Sequence, residues 1–230
     1  MKILGIIPAR AGSKGLPGKN TLLCAGKPLI RWTVEEALKS KMINHVVLST
    51  ESSEISELCQ DIDWVKRPEK LAQDETPMLD VIKHVSDVCE EEYTSFIILQ
   101  PTSPLRIAEQ IDKAIRMYQG HSHATSLISM SPVPEKYNPE WLFTMSQNGY
   151  LRVSTGRAVK DRITRRQDFP LAYETNGAIY IVSRDNLNDE TPNLYGDKVL
   201  PYIMQDQIIS IDTQEDLIQA DTLLKLRQMQ

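Results

Sequence analysis

Gly5-Ile6-Ile7-Pro8-Ala9-Arg10-Ala11-Gly12-Ser13-Lys14-Gly15-Leu16-Pro17-Gly18-Lys19-Asn20 decides how the rest of the chain is read. The apolar run from Ile3 to Ile7 reads as a strand. The residues after it are too polar and too glycine-rich to pack. Gly12, Gly15 and Gly18 let backbone N–H groups come close to a ligand, and successive N–H groups in tight turns make an anion nest. Arg10, Lys14 and Lys19 add three cations, and Ser13 adds a hydroxyl. Such a loop directly after a strand suits a polyphosphate; the plainer reading is a solvated basic loop. The glycines fit neither Gly-x-Gly-x-x-Gly nor Gly-x-x-x-x-Gly-Lys-Ser/Thr, which argues against dinucleotide and kinase-type sites.

Outward from this loop, strands and helices alternate. Pro28 suits the first turn of a helix to about Ser40, with Leu29, Ile30, Thr33, Ala37 and Leu38 at helical spacing. Val46–Ser49 is a short apolar run, as in a strand buried on both faces. Ser52 or Ser53 caps a helix through Cys59, and Asp63–Val65 is a short strand. A loop over 66–77 leads to a helix from Met78 to about Glu92. Phe96–Leu99 is the next buried strand, and Gln100-Pro101-Thr102-Ser103-Pro104-Leu105-Arg106 is the loop at its carboxyl end. Two prolines stiffen that loop, Ser103 can cap a helix from Pro104 to about Tyr118, and for Thr102, Ser103 and Arg106 a role at the crevice stands evenly against capping and surface charge. Further strands are expected at 124–129, 178–182, 201–204 and 208–211. Thr213-x-x-Asp216 resembles a capping box that opens the last helix, ending near Met229. Asp212 then stands at the carboxyl end of a strand, where a metal ligand belongs. The alternation implies an α/β fold, a mostly parallel sheet with helices on both sides, and ligands beyond the carboxyl ends of its strands.

The bulk properties set limits. The chain has 230 residues, enough for one domain with a sizeable core. Its net charge of −5 argues against a general nucleic-acid binder and leaves the early basic loop as a local patch for a small anion. No apolar run approaches the ~20 residues of a membrane span, and Met1-Lys2-Ile3 enters a strand with no signal-peptide pattern. Cys24, Cys59 and Cys89 are odd in number and widely spaced, so no disulfide framework is expected. The cytoplasm is the expected location. His121-Ser-His123 reads as a helix-end loop. From 131 to 172 the composition changes to scattered prolines, aromatics and the cations Arg152, Arg157, Lys160, Arg162, Arg165 and Arg166, an excursion from the sheet.

The opening motif, Gln100–Arg106 and Asn176-Gly177-Ala178-Ile179-Tyr180 together resemble the acylneuraminate cytidylyltransferase family, in one order and across nearly the whole chain. The family transfers CMP from CTP to nine-carbon α-keto acid sugars with Mg²⁺ and releases pyrophosphate. The resemblance implies a single cytidylyltransferase domain over 1–230, with a three-layer Rossmann-like sheet of the nucleotide-diphospho-sugar transferase type. It makes 131–172 an inserted arm that pairs two chains into a homodimer. It implies nucleotide-binding roles for Ala9, Arg10, Ala11, Gly12, Ser13, Lys14, Asn20 and, in its Arg-Pro-x-x-Leu-Ala-x-Asp pattern, Arg67; a surface arginine paired with Asp74 is the alternative for that residue. Catalysis falls to Arg10, Lys19 and Asp212, with Asp212 also holding Mg²⁺. Sugar binding falls to Gln100, Arg166 and Asn176, though Asn-Gly is also a common turn pair.

Two positions depart from the family pattern. Ser210 stands where the family's metal strand has a first aspartate, and Glu174 stands where sialic-acid enzymes often have arginine, so legionaminic, pseudaminic, Kdn and amino-Kdo acceptors stay open. Rival readings are a Kdo-type or another sugar nucleotidylyltransferase of the same fold, and a non-catalytic nucleotide-binding protein.

Overall fold

The computed structural model describes residues 1–229. In chain order its elements are β1 (Ile3–Pro8), β2 (Leu23–Cys24), β3 (Lys27–Pro28), α1 (Leu29–Lys39), β4 (His45–Thr50), α2 (Ser53–Glu57), β5 (Asp63–Lys66), α3 (Met78–Val88) and β6 (Ser95–Ile98). Then come α4 (Ala108–Gln119), β7 (Ser126–Pro132), β8 (Phe143–Met145), β9 (Leu151–Val153), β10 (Tyr173–Ser183), α5 (Asp185–Asn188), β11 (Val199–Ile203) and α6 (Gln214–Gln228). Seven strands form one sheet in the order β11-β7-β10-β6-β1-β4-β5. All pairings in it are parallel except the two made by β10.

The strand period of two divides the core. Ile3 and Ile7 of β1 and Ile97 of β6 join Ile30 and Val34 of α1 and Ile111 and Ile115 of α4 on one face. Leu4, Ile6, Phe96 and Ile98 face the other way, against Ile82 and Val85 of α3. The apolar runs are continuous because both faces are covered. A third cluster joins Cys24 and Leu29 to Ile209, Ile211, Leu217 and Leu224, fastening the C-terminal segment beside the N-terminal loop.

Several boundaries differ from the sequence reading. Helix α3 ends at Val88 rather than near Glu92; carboxylates at a helix C-terminus oppose its dipole. Helix α4 starts at Ala108, not Pro104, and Gln110 rather than Ser103 closes its first turn, through an Ile107 N–H donated to Gln110 Oε1 at 3.0 Å. Residues 208–211 are not a strand. Their apolar side chains are explained by the third cluster, and among the described residues their one bond to another backbone group is Ile211 N–H to the Thr102 carbonyl, 2.9 Å. Asp212 is therefore carried by an irregular segment, not by a strand end. The capping box is present: Asp216 N–H donates to Thr213 Oγ1 at 3.2 Å, and Thr213 N–H to Asp216 Oδ2 at 2.8 Å.

Between β7 and β10 the chain leaves the sheet and returns with Tyr173 opposite Pro132. The excursion holds the β8–β9 hairpin and a small centre where Trp141 and Phe169 lie 5.8 Å apart.

Ile97 is fully buried in the middle of the sheet. Ile97→Ala is expected to cost about 3 kcal/mol, read as a lower urea midpoint with an unchanged slope.

Candidate active site

The carboxyl ends of β1, β4 and β6 point to one edge of the sheet, because these strands are parallel. Beyond that edge lies a cleft of about 360 Å³ lined by Arg10, Gly12, Ser13, Gly15, Lys19, Asn20, Gln100, Thr102, Ser210 and Asp212, with Pro8, Met78 and Pro101. Seven sequence-predicted site residues thus meet: Arg10, Gly12, Ser13, Lys19, Asn20, Gln100 and Asp212.

Internal bonds shape the loop. Asn20 is buried and its amide donates to the Arg10 carbonyl at 2.9 Å, tying the end of the loop to its start. Gly18 has φ of 64°, the left-handed region that begins the turn at Lys19. A Cβ on Gly15 would sit 2.6 Å from the Asp212 carbonyl oxygen, whereas one on Gly12 would meet nothing within 4 Å. The glycine at 15 is required by backbone packing; the one at 12 leaves open space.

The cations already have partners. Lys19 Nζ donates to Asp212 Oδ1 at 2.9 Å and to the Ile211 carbonyl at 2.8 Å. Asp74 accepts from Arg10 and from Lys14, the latter at 2.8 Å. These two contacts, the Lys14 bond foremost, hold the Asp74 carboxyl below the usual carboxylate range. Ala11 N–H donates to Glu51 Oε1 at 2.7 Å, while Glu51 Oε2 is buried without a partner among the described residues. Neither Asp74 nor Glu51 was identified as a partner of this loop from sequence. The available signals were the last residue of Arg-Pro-x-x-Leu-Ala-x-Asp and a carboxylate directly after β4.

Other expected residues lie elsewhere. Ala9 is buried, with its N–H on the Ser49 carbonyl at 3.0 Å. Lys14 is mostly exposed and does not line the cleft. Arg67 is buried and donates to Ser49 Oγ at 3.1 Å and the Ser49 carbonyl at 2.7 Å, so it is not a surface arginine, and Asp74 is not its partner. Burial pushes its pKa down to about 10, against the raising effect of Glu51. Asn176 accepts from Ser129 Oγ at 2.6 Å and donates to Ser131 Oγ at 3.1 Å, where β10 shifts register and Gly177 has φ of 74°. A Cβ on Gly177 would lie 3.4 Å from Gln100 Oε1, so this turn borders the Gln100 side of the cleft. Arg166 is exposed in the excursion, 5.2 Å from the Trp141 ring centre. Arg106 is neither a cap nor surface charge: it is buried. Ser103 Oγ is buried, with no partner among the described residues.

Among the described residues no group of three or more His, Cys, Asp or Glu is placed to hold a metal, and no helix is long and apolar enough to cross a membrane. Asp212 exposes its carboxylate, and it and Ser210 both line the cleft. That set suits a hard cation that takes one or two carboxylates and completes its shell with ligand oxygens and water.

A sequence profile of the family described as cytidylyltransferase matches residues 4–230. The chain is 35% identical over 240 residues to the CMP-N,N'-diacetyllegionaminic acid synthase of Legionella pneumophila, covering 99% of this chain and 98% of that protein. It is 32% identical over 232 residues to an N-acylneuraminate cytidylyltransferase of Escherichia coli, covering 100% of this chain; it spans about half of that relative, 54%. A solved CMP:2-keto-3-deoxy-manno-octonic acid synthetase in complex with CTP superposes with a TM-score of 0.74 at 17% identity, covering 99% of this chain and 100% of the other. That likeness concerns the fold.

Two outcomes test this geometry. Gly15→Ala should cost about 2 kcal/mol by urea denaturation, since the blocking atom is backbone, while Gly12→Ala should stay within about 0.5 kcal/mol. Because the Asp74 pKa is lowered, its contact stabilises above the ordinary carboxylate value and is lost only as pH falls through the lowered one. Amide exchange across 66–77, corrected for intrinsic rates, should therefore be flat from about pH 8 to 5 and rise only below about pH 4.

Proposed function

The chain belongs to the cytidylyltransferase family, and on that premise we propose that it transfers CMP from CTP to the anomeric hydroxyl of a nonulosonic, sialic-acid-like sugar and releases pyrophosphate. The observation that carries this reading is the facing arrangement in one cleft: a cationic glycine loop, the Lys19–Asp212 pair, and Gln100 beside the Gly177 turn. The names of the Legionella and Escherichia relatives support the acceptor class.

Transfer of a nucleotidyl group asks mainly for positioning and for neutralising charge on the phosphates. In this reading Ser13, Lys14 and the N–H groups from Ala11 to Gly15 take the β- and γ-phosphates. Arg10 and Lys19 stabilise charge on the α-phosphate and the leaving pyrophosphate, and Asn20 keeps the loop closed against the nucleotide. Ala9 and Arg67 shape the nucleotide side. Arg10 and Lys14 exchange Asp74 for phosphate oxygens when CTP enters. Asp212 would hold Mg²⁺ with phosphate oxygens, and the ion would draw charge from them. Gln100 orients the acceptor, and Asn176 contributes by setting the turn beside it.

The excursion over 131–172 is proposed as a homodimerisation arm. Its support is exposed apolar surface: Met145, Tyr150 and Leu171 are 73%, 76% and 84% accessible. Arg166 would then act across the dimer, on the acceptor's carboxylate in the partner's cleft. The proposed location is the cytoplasm.

Pyrophosphate release from CTP and Mg²⁺, with nonulosonic and octulosonic acids and a no-sugar control, tests the reading. Release with a nonulosonic acid is expected; release with octulosonic acids alone would make it a Kdo-type enzyme, and CTP binding without turnover a binding protein. Lys19→Ala and Asp212→Ala should each lower kcat by about 10²–10³-fold while the fold is retained. Full Mg²⁺-dependent activity in Asp212→Ala would remove that residue from the metal site.

A further inference from the structure

Among the described residues Arg106 is the largest fully buried side chain, 1% accessible. Among the described residues no carboxylate lies within ion-pair distance of it, the nearest charge influence being Glu36. Burial pushes its pKa down, yet a guanidinium starts high enough to stay protonated. A buried charge without an ion-pair partner is a poor stabilising device, since an apolar residue of similar volume often serves as well or better. Its position therefore calls for a different reason.

The reason lies in what it holds. One nitrogen, Nη1, donates to the Gln100 carbonyl at 3.2 Å and to the Ala178 carbonyl at 2.6 Å. The other, Nη2, donates to Thr33 Oγ1 of α1 at 2.8 Å. Gln100 and Ala178 belong to segments that are far apart in sequence and meet at the acceptor side of the cleft. On the cleft side, the Gln100 amide oxygen lies against Gly177. On the core side, Arg106 bridges the same two segments through their carbonyls. The planar fork of a guanidinium presents several donors at fixed angles, which a lysine cannot do.

We propose that Arg106 is a positioning residue for the acceptor: a buried clamp that fixes Gln100 against the Asn176-Gly177 turn while touching neither substrate. The proposal rests on the functional reading above. It separates the two halves of the cleft, because the nucleotide side is held by other ties, those of Asn20, Lys19 and Glu51.

The test is a kinetic split in Arg106→Met and Arg106→Lys, using CTP and the acceptor turned over by the wild-type protein. CTP affinity by titration calorimetry should stay within about twofold, while kcat/KM for the acceptor falls about 10- to 100-fold. Arg106→Lys should recover stability more than acceptor use. A parallel loss of CTP binding and acceptor use, or no loss of either, would overturn the proposal. Should Arg106→Met not fold, Thr33→Val removes the anchor of Nη2, together with a long 3.5 Å hydroxyl contact to the Gln100 carbonyl, at nearly constant shape. It should raise the acceptor KM about threefold with CTP binding unchanged; an unchanged acceptor KM would count against the clamp. Amide hydrogen exchange on the same variants needs no acceptor: faster exchange confined to 100–103 and 176–179 is expected, and unaltered exchange there overturns the clamp. Failure of the wild-type protein with every acceptor would sink the functional reading alone, leaving exchange to decide the clamp.

Discussion

The cleft exists because the chain's beginning and end are held together at one point. Lys19, at the close of the glycine loop, donates to Ile211 and Asp212, almost two hundred residues away, and the loop backbone at Gly15 leaves no space for a side chain beside the Asp212 carbonyl. The ammonium is largely buried, while Asp212 remains open to the cleft. One side of the pair is therefore fixed and the other is available. The third apolar cluster supplies the rigidity, since Ile209, Ile211 and Leu217 pack against Cys24 and Leu29 just below the contact. Loss of that packing would separate the cation from the carboxylate without altering either.

Buried and half-buried polar side chains serve as ties between segments. Asn20 closes the glycine loop on Arg10, Arg67 holds Ser49 at the end of β4, Arg106 bridges Gln100 and Ala178, and Asn176 spans Ser129 and Ser131. Each satisfies backbone or hydroxyl groups that would otherwise be desolvated without a partner. These residues sit at the sheet edge where strands end and regular ladder bonds run out, so side chains take over the accounting of donors and acceptors. The carboxylates Asp74 and Glu51 occupy cations and an N–H of the loop, donors that phosphate oxygens take over in the proposed reaction.

Much of the fold was legible locally. Short continuous apolar runs identified β1, β4 and β6, because strands covered on both faces need no alternation. The capping box at Thr213 was readable because its bonds span three residues. The run 208–211 was not readable correctly: apolar periodicity reports burial, and here the burial comes from a cluster rather than a ladder. The start of α4 was misplaced because Ser103 and Pro104 carry helix-start signals, whereas the turn that opens the helix is closed by Gln110 at Ile107.

The amino-acid sequence by itself determined the nature of the site: a glycine-rich cationic loop after a strand, with Gln100 and Asp212 at later segment ends, in an α/β alternation that puts ligands at one sheet edge. Those are short-range properties, set by residue type and spacing. Only the tertiary structure decided which side chains face the cleft and which hold it up. It placed Arg67 and Arg106 in the interior, gave Asp74 to Arg10 and Lys14, and separated the required glycine at 15 from the spacious one at 12. Charge and hydrogen-bonding capacity are written in each residue, but the partner that uses them is chosen by packing between segments far apart in the chain.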